Sequence, residues 1–267
     1  MILSGASSIG LSLALATAAG YALQAALAAR IGPITARKAL MAAWALHAAL
    51  LLYGMLGSTP RFGFAPALSV TAWLVVAVYV IDARAFPQLR ARQALAVVGA
   101  LAVGLALAFP GALLHRSASA WLPLHWALGI ASYGLFAAAV VHAWILMRAE
   151  RDIRKAAGAD SGLPLLTLER LTFRFVMAGF VLLSATLLAG LLFSEQLYGA
   201  GKSWRWDHKT VFSVLSWAAF AVLLVGRARF GWRGRKAVRI LYVGSLLLLL
   251  AYVGSRFVIE VVLGRNA

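Results

Sequence analysis

Eight apolar runs, most of them close to the ~20 residues a helix needs to cross the hydrocarbon core of a bilayer, dominate this chain. They cover roughly 8–29, 39–56, 67–83, 94–114, 122–147, 175–194, 211–226 and 240–263. Turn formers separate them, among them Gly57-Ser58-Thr59-Pro60, Phe86-Pro87-Gln88, His115-Arg116-Ser117 and the stretch from Gly158 to Pro164. Leu, Ala and Val fill the runs without long period-2 alternation, which argues against a membrane β-barrel. No repeat of 20–50 residues stands out. The expected fold is all-α, a polytopic membrane bundle of about eight transmembrane helices forming one domain over residues 1–267. Composition agrees: 63% of residues are hydrophobic and 12% charged, against about 45–50% and 25% in soluble domains. Lipid must be the solvent for most of the chain.

The formal charge of +17 is explained by its distribution. Most of the 25 Lys and Arg residues fall on alternate connections: Arg30, Arg37 and Lys38; Arg84, Arg90 and Arg92; then Arg148 to Arg174; then Arg227 to Arg239. Arg61, Arg116, Lys202, Arg205, Lys209 and Arg265 lie on the opposite side. This bias puts the basic loops in the cytoplasm, beside anionic headgroups, and both termini outside. The expected location is a bacterial inner membrane, and the charge requires no nucleic-acid partner. The first run has no basic segment before it, so it reads as a retained helix rather than a cleaved signal. The absence of cysteine removes any disulfide framework or thiolate metal site.

Polar residues inside lipid are expensive, and they mark where function could lie. His47 falls near the middle of the second run. His125 lies near the outer end of the fifth, His208 at the outer start of the seventh, and His115 in an outer loop. His142 is about 25 Å further along the fifth helix than His125 at 1.5 Å per residue, near the inner face. Neutral imidazole ligates haem iron, so two histidines on different helices at one depth could clamp a haem. Taken singly, each is more simply a hydrogen-bonding partner for a neighbouring helix. The segment Trp204-Arg205-Trp206-Asp207-His208 could form an aromatic shelf with a polar edge. Spacing alone favours an interfacial tryptophan belt. Arg256 and Glu260 share a helix face, with mutual pairing or a haem propionate as possible partners. No phosphate loop, zinc motif, nucleophile elbow or paired carboxylates appear, so no enzymatic chemistry is expected. A small-solute transporter would call for inverted repeats and broken helices, and neither is evident.

From about residue 120 the sequence resembles the CcsA/CcmC cytochrome c assembly proteins, most closely their short YpjD/HemX-like branch. Leu124-His125-Trp126 with Ala131-Ser132-Tyr133 is similar to the family helix bearing an outer haem-ligating histidine. Trp204-Arg205-Trp206-Asp207, continuing through Lys209 to Ser216-Trp217, resembles the tail of the tryptophan-rich WWD haem-binding motif. Phe230-Gly231-Trp232-Arg233-Gly234-Arg235-Lys236, with Ala251-Tyr252-Val253-Gly254 downstream, resembles a further loop and helix of the family. The departures are equally specific. Ala200 replaces the motif's first tryptophan, His208 its proline, Thr210 its glutamate and Phe212 its last tryptophan. Val225 and Leu263 stand where the family carries histidines.

The resemblance implies a membrane haem handler in cytochrome c biogenesis, presenting haem at the outer face. Its partners would be an assembly subunit with a soluble outer domain and, through it, apocytochrome c. In that reading His125 ligates iron, His208 is the replacement second ligand, Trp204 and Trp206 shelve the macrocycle, Asp207 orients a ligand or the loop, and His47 is a deeper transient site. The alternative is a HemX-like regulatory or scaffold protein that has lost haem transport.

Overall fold

The computed structural model describes residues 8–27, 30–57, 60–85, 91–113, 121–154, 164–194 and 206–264. Among them the helices are α1 Ser8–Leu27, α2 Pro33–Leu56, α3 Phe64–Ala85, α4 Arg92–Ala108, α5 Trp121–Arg154, α6 Leu165–Leu192, α7 His208–Phe230 and α8 Gly234–Leu249. The last helix continues through a π-helical turn, Leu250–Gly254, a short α segment, Ser255–Phe257, and a second π turn, Val258–Val262. Helices are the only open-ended solution in lipid, because each backbone N–H must find its acceptor within its own segment. Isolated hydroxyls solve the same problem: Thr17, Thr71, Thr172, Ser184 and Thr186 each donate to the carbonyl four residues earlier, at 2.7–2.8 Å.

Seven of the described helices are long and apolar enough to span a membrane, and the chain is a polytopic helical bundle. The exception is α4, expected to reach residue 114 but only 17 residues long. That is about 25 Å, short of the ~30 Å core. Phe109-Pro110-Gly111 ends it: proline cannot continue the ladder, and Gly111 takes φ 80°. The chain then pairs Ala112–Leu113 antiparallel with Arg61–Phe62, a two-residue ribbon. The seventh run, expected over 211–226, extends at both ends because Asp207 and Gly231 supply its caps.

The described residues fall into two compact units, 1–115 with 256–267, and 116–255. In the first, α1 packs on α2 and α4, and α3 on α4. Small residues bring the backbones close, as membrane packing requires: Gly20 lies on Ala43, and Gly99 lies flush against the Tyr21 ring. Trp44 and Trp73 stack at 5.3 Å, and each indole N–H donates to the other's backbone carbonyl. The Glu260 carboxylate rests over Gly63, just before the start of α3. Arg256 adds a favourable charge there.

In the second unit α5, α6, α7 and α8 form a ring in which each packs on the next and α8 closes on α5. Phe136 and Phe220 stack across its centre, centroids 3.7 Å apart and planes within 5°. Gly179 and Gly244 make the room. A Cβ at Gly179 would come 3.1 Å from Phe136, and one at Gly244 would come 2.8 Å from Phe220. Helix propensity alone favours Gly244→Ala by about 1 kcal/mol. Overpacking against Phe220 is expected to reverse that and destabilise by about 1–3 kcal/mol. Unfolding in detergent should show this loss, while Gly104→Ala, with open space around it, should be neutral or stabilising.

Candidate functional site

At the outer end of the second unit, Asp207 precedes α7 and caps it, its Oδ1 accepting the Thr210 amide at 2.9 Å. The Thr210 hydroxyl bonds the same carboxyl, so the threonine that replaces the family's glutamate still serves the helix start. Burial pushes the Asp207 carboxyl up. The Thr210 bonds and the charges of Lys209 and His208 outweigh that and hold it below the usual carboxylate range. The cap fixes His208 in the first turn of α7. Its Nε2 meets Ser255 Oγ at 2.7 Å. Ser255 is buried and follows directly on the first π turn. A π turn inserts an extra residue into the ladder and often marks a functional position; here it sets the register in which Ser255 reaches His208.

His125 lies in the second turn of α5 against the Thr186 backbone of α6. Its Nδ1 is buried and has no hydrogen-bond partner among the described residues. Depth follows from the Tyr133 hydroxyl, which donates to the Leu248 carbonyl. His125 is eight residues outward of Tyr133 and Ser255 seven outward of Leu248, about 12 and 10 Å. His125 and the His208–Ser255 pair therefore share one level within a few ångströms. They occupy opposite corners of the ring. Neighbouring helices about 8–10 Å apart put diagonal ones roughly 13 Å apart, a gap that an iron flanked by two imidazoles spans. The structure gives the two rings different partners, α6 for His125 and Ser255 for His208. Trp206, two residues before His208, is 70% exposed. Trp204 lies outside the described residues, as does His115.

His47 is fully buried in the first unit with both nitrogens engaged, Nδ1 with Tyr21 Oη at 3.3 Å and Nε2 with Ser69 Oγ at 2.8 Å. Ligation there requires replacing one of these bonds. His142 donates from Nδ1 to the Ala138 carbonyl at 2.9 Å and lies against the Phe175 ring. Both arrangements are the helix-to-helix or helix-to-self bonding expected of buried histidines.

Two features escaped the sequence. Ser255, 47 residues from His208, carries no local signal, since a serine late in an apolar run looks incidental. Glu169 near the inner end of α6 accepts Arg227 and lies 3.4 Å from Arg233. Its signal was present, as the one acid of α6, set beside Arg170. Around it Gly231 and Gly234 adopt φ 62° and 56°, Trp232 packs on Gly226, and Lys236 sits 3.8 Å from the Trp232 ring centre.

Replacing Asp207 by Ala is expected to cost about 1 kcal/mol of stability, with Ser or Asn retaining most of it. Because the folded carboxyl titrates low, its contribution is present above the ordinary value near ~3.9 and is lost as pH falls through the lowered one. Thermal melts of wild type and variant at neutral and acidic pH should converge at the acidic end.

The family model described as Cytochrome C assembly protein matches residues 12–263. Over 150 residues the chain is 33% identical to the inner membrane protein YpjD of Escherichia coli K12, covering 55% of this chain and 56% of that one. A 28.8 kDa protein of Azospirillum brasilense is 35% identical over 174 residues, 64% of this chain and 63% of its own. The cytochrome c biogenesis protein CcsA of Prochlorococcus marinus is 34% identical over 90 residues, 34% of this chain and 28% of its own. The chain thus spans less than two thirds of the length of these relatives. No solved structure matches. With seven apolar spans and a family model covering nearly all of it, the chain is a multi-pass inner-membrane protein and belongs to the cytochrome c assembly family.

Proposed function

We propose that this protein binds haem at the outer end of its second unit and hands it on in cytochrome c biogenesis, without covalent catalysis by its own side chains. The observation that carries this reading is the His125 Nδ1, buried and unpartnered among the described residues. A buried nitrogen left unpaired costs about 1–3 kcal/mol, so a ligand that takes it removes a penalty. The second support is the shared depth of His125 and His208 on diagonal helices. Bundles build cofactor sites in this way, from side chains on facing helices.

Haem, when bound, would supply an iron that accepts imidazole nitrogens and two propionates. His125 and His208 would hold the iron. Ser255 fixes the His208 tautomer through Nε2, leaving Nδ1 as the nitrogen for the metal. Trp206, with Trp204, shelves the macrocycle. Asp207 holds the start of α7 so that His208 keeps its place. His47 serves as a transient deeper site only by giving up Tyr21 or Ser69. An assembly subunit with a soluble outer domain and apocytochrome c are the partners that receive the cargo.

The competing reading, a HemX-like regulatory or scaffold role, has one observation in its favour: Val225 and Leu263 replace family histidines. Absorption spectra of the full chain purified in mild detergent separate the two. The haem reading expects a Soret band, abolished by His125→Ala and shifted or weakened by His208→Ala. Ser255→Ala should lower haem affinity by about 10–100-fold while keeping the band. A colourless protein that takes up no added haem favours the scaffold role.

A further inference from the structure

At the opposite end of the same unit, α5 and α8 run antiparallel, Tyr133 meeting Leu248 and Glu150 lying beside Gly234, and both carry exposed arginines along their inner turns. On α5, Trp144, Arg148 and Arg151 are spaced four and three apart and share one exposed face. On α8, Arg235, Arg239 and Tyr242 repeat that spacing. The two helices meet at this end, where the Glu150 carboxylate of α5 lies beside Gly234, the first residue of α8. The Arg148 guanidinium lies 5.7 Å from the Trp144 ring.

The acids nearby do not neutralise this face. Glu169 is taken by Arg227 and Arg233. Glu150 lies 4.0 Å from Arg154 and turns toward Gly234. Asp152, one turn beyond Arg148, is not within ion-pair distance of it. Among the described residues no carboxylate comes within 4.0 Å of Arg148, Arg151, Arg235 or Arg239. Depth agrees with a headgroup partner. α5 has 34 residues, about 51 Å, so its last turns project beyond a ~30 Å core. Trp144 then falls at the interface, where indoles concentrate.

We propose that the inner end of the α5/α8 seam binds the phosphate of an anionic phospholipid headgroup, gripped by Arg148 and Arg151 from one helix and Arg235 and Arg239 from the other. Trp144 and Tyr242 flank the glycerol region. Guanidinium suits this ligand because its planar fork matches phosphate oxygens in pairs. Lipid is favoured over free phosphate because the aromatic flanks give the apolar part of the ligand a surface to lie on. A bound headgroup would hold α5 and α8 together at the end where their side chains repel.

The test uses the full chain in detergent, titrated with phosphatidylglycerol and with phosphatidylcholine and read by native mass spectrometry. Each arginine near the surface contributes about fivefold in anionic lipid affinity. Arg148→Gln with Arg239→Gln is therefore expected to weaken phosphatidylglycerol binding roughly 25-fold. Arg170→Gln with Arg174→Gln removes the same charge from α6 and is expected to leave binding unchanged. Equal losses in both pairs would reduce the effect to diffuse surface charge and overturn the site. Equal binding of phosphatidylcholine, or displacement by millimolar inorganic phosphate, also overturns it. Should the glutamine pair fail to insert, Arg148→Lys with Arg239→Lys keeps the orienting charge. It is expected to bind less tightly because the fork is lost, and unchanged affinity there sinks the proposal.

Discussion

Lipid removes the usual reason for helices to associate. Apolar side chains are as well solvated by acyl tails as by one another, so cohesion depends on close fit and on polar ties. The Phe136–Phe220 stack is where that fit is made in the second unit. Two rings 3.7 Å apart occupy notches that exist because residues 179 and 244 lack side chains. The buried cluster runs from there inward through Ala139, Ala143, Val176, Leu223 and Leu241. Everything polar in this unit is positioned by helices that this stack brings together.

The polar ties coincide with the stretches that carry the family resemblance. Tyr133 joins α5 to α8 through the Leu248 carbonyl. Ser216 joins α7 to α8 through the Gly244 carbonyl at 2.8 Å, and Trp217 joins α7 to α6 through Ser184 at 2.8 Å. Arg233 of the inner loop joins Glu169 of α6. Residues that look like a haem motif in sequence thus include several whose visible work is helix-to-helix bonding. The same residues hold the ring rigid enough to keep His125 and His208 at one depth.

The helices were legible because lipid leaves one backbone solution and a length to go with it. Boundaries were less so. The fourth run reads as apolar through residue 114, yet Pro110 and Gly111 stop the helix at Ala108, and local chemistry wins over hydropathy. The π turns at Leu250–Gly254 and Val258–Val262 have no sequence signature, because an extra residue per turn leaves an apolar run still apolar. At the site, Asp207 was legible as polar and outer, but its capping of α7 depends on where that helix begins. His47 was legible as buried. Its engagement with Tyr21 and Ser69 joins three helices and could not be read from one of them.

The two ends of the second unit differ in the polar groups they tie and the ones they leave open. At the inner end Glu169 holds two arginines, Lys236 lies on Trp232, and both loop glycines take left-handed φ so the chain can turn tightly between α7 and α8. At the outer end one imidazole nitrogen is buried without a partner, a tryptophan is 70% exposed, and a histidine leans on a single serine. Local rules that a fold satisfies elsewhere tend to be broken where it acts. The Glu169 ties and the tight α7–α8 turn hold the inner end of the ring while the outer end keeps a buried imidazole nitrogen without a partner among the described residues. A lipid headgroup at the α5/α8 seam would strengthen that anchoring from below while leaving the histidines open from above.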